Sequence, residues 1–461
     1  MPNARKSGKI GLEVCIQITL SPKTKTMKIN PQSLCSKSLF SRELAEVIPQ
    51  DNPKRVILDK LDWEELCEIG KRAYRSSYWK NKPNPRVMIG LFVWSCLHNK
   101  TYREVAEDFS FNILCAYAAG FKTDDVRREI DHSTLVKFEE HLGEENILEI
   151  KDLIEKASVR NQPPGTRSKS TTDSTVIESD ITFPTDTKIM ESVRNFLIET
   201  IVTYQREVNQ NHRHYSRVAR KEYLRFARKR NASKKEIKAI KKKQLQFLRR
   251  NLSQVAEVLS ALEKQGVKGK LDQKQFKKIK RKFLLAQIIF KQQEALYRGE
   301  KIKERIVSFH RPSVRPIFRG KGKKKTEFGP KVELFLIGKA LALGKDSFDN
   351  FYDGKGLKES VPELIGKGIR VKEIISDKGF AGCTRLLKIL GIVDGIERRG
   401  KQTKAPPIPK KRFVRRRSEM EGAIGVLKKV FIGEKLRGKT DLGDRKKILK
   451  SLIGYNLNYA F

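Results

Sequence analysis

The chain has 461 residues, with 98 Lys and Arg against 54 Asp and Glu, for a formal net charge of +44. Roughly two to four domains are expected at that length, and the charge points to a polyanionic partner, nucleic acid first. No run approaches the roughly 18 apolar residues of a spanning helix, which excludes a membrane-spanning protein, while 38% hydrophobic residues suffice for cores. The apolar run Ile10 to Leu20 is interrupted by Glu13 and Gln17, unlike a signal-peptide core. None of the six cysteines forms a C-x-x-C pair. A zinc site and a disulfide framework are therefore not expected, and a reduced, cytoplasmic protein is.

Residues 1–40 mix Lys, Ser and Thr with one apolar run, and partial order at best is expected there. From 41 to 160 apolar residues recur at helical spacing, as in Val87, Ile89, Leu91, Phe92, Trp94 and Leu97. Thr101 with Glu104 three residues on reads as a helix start. Short helices with surface cations suit a helix-turn-helix-like DNA-binding module; a helical cap that only packs on the next domain fits equally. Asn161-Gln162-Pro163-Pro164-Gly165 marks a domain boundary.

Ser168 to Ile177 is rich in β-branched residues and predicts a strand carrying one carboxylate, Asp173. Asp186, after Phe183-Pro184-Thr185, reads as an N-cap or a packing polar residue rather than a ligand. Residues 191–305 read as a helical insertion. Leu245, Leu248, Leu252, Val255, Leu259 and Leu262 repeat at 3-4-3-4-3, a coiled-coil seam. After Gly266-Val267-Lys268-Gly269, the residues Phe276, Ile279, Phe283, Ala286 and Phe290 repeat at 3-4-3-4. This predicts two antiparallel helices, the first capped by Ser233 and Glu236. Between 201 and 300 stand 28 Lys and Arg against eight Asp and Glu, a surplus of 20. A salt-bridged solvated face would balance its signs, so contact with DNA backbone is the preferred reading of this arm.

A basic glycine-bearing loop, Arg319-Gly320-Lys321-Gly322, leads to paired strands over Phe328–Ile337 and Ala340–Leu343. A helix follows over Leu357–Ile365. Glu373 to Phe380 is a short apolar strand ending in Asp377 and Gly379, a common arrangement at the carboxyl end of a strand. A helix over Thr384–Leu390, a strand over Ile392–Ile396 and a basic loop over Lys401–Lys411 come next, and a core-packing helix around Leu449–Leu457 closes the sequence.

The stretch from Arg417 to Lys428 reads as a helix start. Arg417, Glu421 and Lys428, four and seven residues apart, share one face. A carboxylate that binds metal between cations that hold phosphate oxygens suits phosphodiester chemistry. Ser418-x-x-Glu421 is also a plain capping box, with no chemistry attached. Asp173 and Asp377 on strands with Glu421 on a helix could converge on two divalent cations roughly 3.5–4 Å apart. Oxygen-only ligands favour Mg²⁺ or Mn²⁺ over zinc.

The order strand–Asp, paired strands, helix, strand–Asp, strand, helix–Glu resembles the core of DDE transposases from bacterial insertion sequences. So do the phrases Thr172-Asp173-Ser174-Thr175, Phe183-Pro184-Thr185-Asp186, Glu327-Phe328-Gly329-Pro330-Lys331, Ser376-Asp377-Lys378-Gly379-Phe380 and Arg417-x3-Glu421-x6-Lys428. Asp131-His132-Ser133-Thr134-Leu135 is similar to the end of that family's N-terminal domain. The family's helix signature carries a Tyr where this chain has Val414. The resemblance implies an α/β fold: a ribonuclease H-like catalytic core over 161–190 and 306–461, an N-terminal all-helical domain over 41–160, and the basic helical insertion over 191–305. It implies metal-dependent cleavage and strand transfer at element ends by Asp173, Asp377 and Glu421 with two Mg²⁺ or Mn²⁺ ions. Arg417, Lys428, Lys378, Arg416 and Lys331 would contact DNA. The implied partners are terminal inverted repeats, target DNA and a second copy of the chain in a synaptic complex, in the bacterial cytoplasm at the nucleoid. A transposase-derived DNA-binding protein without catalysis is the alternative.

Overall fold

The computed structural model describes residues 43–74, 82–123, 128–266, 272–318, 326–398 and 408–461. The expected N-terminal segment 1–40, the glycine-bearing basic loop at 319–322, and most of the Gly266–Gly269 break and of the 401–411 loop lie outside them.

The N-terminal region is helical: α1 (Leu44–Val47), α2 (Pro53–Asp59), α3 (Trp63–Lys71), α4 (Pro85–His98), α5 (Tyr102–Phe111), α6 (Ile113–Ala118) and α7 (His132–Arg160). Helix α4 is apolar all round, and every residue from Val87 to Leu97 is buried, as a central helix requires. It starts at an Asn84 cap with Pro85 in the first turn. Thr101 and Glu104 form the expected reciprocal capping box of α5. Helix α7 kinks at Gly143, where φ is +74°.

Strand β1 (Lys169–Val176) follows. Then come the arm helices α8 (Asp186–Tyr204), α9 (Ser216–Ala227), α10 (Lys234–Lys264) and α11 (Gln273–Arg298). Strands β2 (Pro316–Phe318) and β3 (Thr326–Phe328) pair as a small ribbon. The chain returns through β4 (Lys331–Ile337), β5 (Ala340–Ser347), α12 (Asp353–Gly366), β6 (Glu373–Ser376), α13 (Thr384–Ile389), β7 (Val393–Ile396), α14 (Lys410–Val426) and α15 (Asp441–Tyr459).

The main sheet has the order β5-β4-β1-β6-β7. Strand β1 is antiparallel to β4 and parallel to β6; β4 and β5 are antiparallel, β6 and β7 parallel. Alternation sorts β4 onto two faces. Val332, Leu334 and Leu336 join Met420, Leu427, Leu452 and the N-terminal helices in one core. Phe335 and Ile337 join Leu357, Val361 and Leu387 from α12 and α13 in another. The edge strand β5 is capped by α15: the Asn456 side-chain amide accepts from Leu341 N–H at 2.8 Å and donates to Leu341 O at 2.9 Å.

The arm has its own core. The Leu245–Leu262 seam is buried, and Phe276 and Phe283 of α11 meet it. Ser233 and Glu236 cap α10 as expected. The pairing of two helices is incomplete, because Ile189, Val193, Leu197 and Ile201 of α8 fill the same core. Asp186 is not an N-cap. Thr185 caps α8, and Asp186 sits in its first turn, ion-paired to Lys241 and Arg305. Among the described residues no helix is long and apolar enough to cross a membrane.

Candidate active site

Asp173 lies on the central strand, and its position follows from register. Lys169, Ser170 and Thr171 pair with Glu373, Ile374 and Ile375 of the parallel neighbour. Carried two steps beyond the observed pairs, the same register would bring Asp173 level with Asp377, which follows the last residue of β6. Neighbouring strands lie about 4.8 Å apart; Asp173 stands in the middle of β1, and Asp377 directly follows the end of β6. Asp173 also pairs across β4 with Leu334, whose side chain belongs to the core beneath α14. Asp173 therefore faces α14.

Each Asp is held by local backbone. Asp173 Oδ1 accepts from Ser174 N–H at 2.8 Å, and Asp377 Oδ1 accepts from Gly379 N–H at 2.8 Å. A Cβ at Gly379 would stand 2.8 Å from Asp377 Oδ1 and 3.1 Å from Asp353 Oδ2, so the close approach of the two carboxylates requires glycine there. Asp353, in the first turn of α12, is an acid that the sequence reading passed over. Its carboxylate pairs with Lys331 Nζ at 2.7 Å, and Lys331 also donates to Phe351 O at 2.7 Å.

Helix α14 brings the third acid. It begins at Lys410, so Ser418 and Glu421 stand in mid-helix and the capping-box reading of that pair falls. The helix lies on the sheet through Met420 and Ala423. Arg412 ion-pairs with Glu373 at the start of β6. Arg416 turns inward, its Nη2 donating to Lys169 O at 3.2 Å and Leu336 O at 3.4 Å, and its side chain is 11% exposed. This arginine joins helix to sheet. Arg417 lies among the acids, its Nη2 3.9 Å from Asp377 Oδ2 and 3.8 Å from Glu421 Oε1. Those two oxygens are therefore at most 7.7 Å apart. The Glu421 side chain is 67% exposed. Lys378 is exposed beside Asp377, and Val414 is exposed on α14. The α-helix passes at Leu427–Ile432 into a π-helical turn that contains Lys428.

The donor set is all oxygen and suits a hard divalent cation. Among the described residues, however, no three His, Cys, Asp or Glu side chains gather as one metal-binding group. The Arg417 guanidinium lies between Asp377 and Glu421, the place a cation would take.

A further carboxyl lies on the other face of β4. Glu333 pairs in register with Ser174, is fully buried, and accepts from Ser360 Oγ and from Lys345 N–H at 3.3 Å. Burial pushes its carboxyl up to about 7.

Residues 42–141 match a family described as "Transposase domain (DUF772)". No curated protein and no solved structure matches the chain. The match supports a transposase family and suggests an enzyme acting on DNA. It covers α1 to α6 and the first turns of α7, and stops short of the sheet and its acids.

Proposed function

We propose that the chain is a DDE-type transposase with a ribonuclease H-like core, which cleaves DNA at insertion-sequence ends and joins it to a target. The observation that supports the reading is the parallel β1–β6 pairing, which if continued would bring Asp173 level with Asp377, together with Arg417 within 4 Å of both Asp377 and Glu421. The strand order, with an antiparallel three-strand half and a parallel two-strand half about β1, supports it. So does the transposase-domain match.

Asp173, Asp377 and Glu421 would hold two Mg²⁺ or Mn²⁺ ions. Bound ions of this kind favour the attacking oxygen and stabilise the leaving 3′ oxygen in an in-line displacement. The chain's own residues supply the rest. Backbone N–H groups of Ser174 and Gly379 hold the two Asp carboxylates, and α14 carries Glu421 within 4 Å of Arg417. Arg417, balanced between two acids, is placed to hold a non-bridging phosphate oxygen. Lys378, beside Asp377, and Lys428, in the turn that follows α14, would contact DNA. Arg416 and Lys331, committed to main-chain carbonyls and to Asp353, position the site. The partners are the element ends and target DNA, with a second copy of the chain completing the synaptic complex.

A second reading has an observation of its own. The three acids are not gathered into one group, Arg417 lies between two of them, and Val414 replaces the family's Tyr. On that reading the chain is a transposase-derived DNA-binding protein without catalysis. The test is nicking of a supercoiled plasmid carrying the DNA that flanks this reading frame, with Mg²⁺ or Mn²⁺. Metal-dependent nicks at the flanks, lost in Asp377→Ala and Glu421→Ala while gel-shift binding persists, support the enzyme. Binding by the unmutated chain with no nicking under either metal supports the second reading.

A further inference from the structure

The arm carries a built cleft far in sequence from the three acids. The segment between α8 and α9 folds back onto α10 through main-chain bonds. Gln254 Nε2 donates to Arg213 O at 3.2 Å, and Asn251 Nδ2 donates to His214 O at 3.3 Å. Asn251 is fully buried, and its Oδ1 has no hydrogen-bond partner. Two non-glycine residues of this segment, Asn209 and Tyr215, have φ of +52° and +51°, a left-handed conformation that L-residues avoid. The second presents its ring to two guanidinium groups: Arg213 and Arg250 lie 4.8 and 4.5 Å from the Tyr215 centroid.

Arg250 also lines an open cleft of about 780 Å³, with His212, Arg249, Ser253, Gln254 and Glu257 among its other walls; Arg249 there is ion-paired to Glu294. Its one carboxylate is engaged: Glu257 accepts from Ser253 Oγ at 3.3 Å and lies 3.8 Å from His212 Nδ1. Two like-charged guanidinium groups held about one ring repel each other until an anion lies between them. Arginine is the side chain suited to phosphate oxygens. The cations also continue beyond the cleft, since Lys234, Lys235, Lys238 and Lys242 are exposed along the same helix. A continuous track of positive charge fits a polymer better than a single small ion.

We propose that the 209–215 segment and the middle of α10 form a phosphodiester-binding cleft that grips DNA backbone apart from the three acids. The proposal rests on the reading that the chain acts on DNA, and it assigns to Arg213 and Arg250, both close to the Tyr215 ring, a contact without base specificity.

The test uses the full chain and a short labelled duplex of unrelated sequence, titrated by fluorescence anisotropy across a salt series. Arg213→Gln with Arg250→Gln should weaken binding about fivefold or more at low salt and reduce the slope of log K against log salt by roughly two. Ser253→Glu, an exposed change that adds negative charge to the cleft and leaves the helix core untouched, should weaken binding in the same direction, and Glu257→Gln should tighten it. The Ser253 variant also covers the case in which the double variant loosens the arm, which thermal melting would reveal. Unchanged affinity and slope in the double variant and in Ser253→Glu would overturn the proposal. Competition by polyglutamate as effective as competition by DNA would overturn the assignment to nucleic acid. Nicking measured on the same preparations separates the two readings: an unmutated chain that nicks while the cleft variants bind normally defeats the cleft alone, and variants that lose salt-dependent binding of a chain that never nicks defeat the enzyme alone.

Discussion

In the arm, Lys and Arg outnumber Asp and Glu by 20 over residues 201–300, and much of α10's charge points to solvent. Along the sheet and the helix α14 that covers it, the cations are fewer and mostly engaged: Lys331 with Asp353, Arg412 with Glu373, Arg416 with strand carbonyls, Arg417 with Asp377 and Glu421. The two regions also differ in packing. The arm closes a core of its own from α8, α10 and α11, whereas the sheet shares its core with the N-terminal helices. Unpaired surface charge supplies long-range attraction that salt weakens, and paired charge fixes geometry. On the proposed function, the contrast would give affinity to the arm and chemistry to the sheet.

The most direct way to break that division is at the acids. Asp173→Ala, Asp377→Ala and Glu421→Ala are each expected to lower metal-dependent nicking by about a thousandfold or more, since a two-metal site loses a ligand and the oxygen it holds, with duplex affinity in gel shifts near that of the unmutated chain. A comparable loss of affinity would show that the acids also hold the DNA frame.

The separate cores predict separate melting. Leu248 and Leu452 are both fully buried, one in each core. Each Leu→Ala change should cost about 2–5 kcal/mol. Calorimetry should show the first lowering an arm transition and the second lowering the transition of the sheet and N-terminal helices together. A single transition shifted equally by both would merge the two regions.

Glu333 offers a pH test confined to the sheet. Its carboxyl is raised in the folded state to about 7 from an ordinary 4.5. The folded chain therefore holds this proton more tightly than the unfolded chain, so its contribution is complete below about pH 4.5 and is lost as pH rises to about 7. Glu333→Gln should remove that part of the pH dependence, with a gain of order 3 kcal/mol or less above pH 7. Denaturant midpoints against pH measure it, and an unchanged profile would remove Glu333 as its source.

The smallest expected effects concern caps. Thr101→Ala and Ser233→Ala each remove a real N-cap and should cost about 1 kcal/mol, whereas Ser418→Ala, exposed in mid-helix, should stay within about 0.5 kcal/mol. A cost at Ser418 like that at Thr101 would return the helix start to that position.

Much of this was legible in the sequence, and for physical reasons. β-branched runs mark β1, apolar runs broken at Gly338 and Gly344 mark β4 and β5, and the short apolar run before Asp377 marks β6, because each buries a pleated face. The 3-4 seam marks α10 and α11, and Gly379 beside Asp377 flags a close approach. The start of α14 was hidden because Lys410, Lys411, Arg412, Arg415, Arg416 and Arg417 are good helix formers without an apolar stripe. The roles of neighbouring Arg416 and Arg417 were hidden too. One residue rotates a side chain by about 100° about a helix, so one arginine meets strand carbonyls and the other the acids. Asp353 escaped notice because its nearness to Asp377 comes from the sheet order and not from spacing along the chain. The place of α8 in the arm core was masked by the intervening 205–233 stretch.

The seating of α15 has a consequence for how the molecule is made. Helix α15, at 441–459, packs against α4 and α7 and caps β5 through Asn456, while Asn458 donates to Leu97 O at 2.7 Å. Gly454 allows the approach, for a Cβ there would stand 2.3 Å from Cys96 O. The core of the earliest-made helices therefore closes only when residues more than 300 positions later have left the ribosome. A nascent chain halted before residue 441 would hold α4 uncovered on that side, a surface for chaperones to shield. The N-terminal helices would then be joined firmly to the sheet only once α15 has been made.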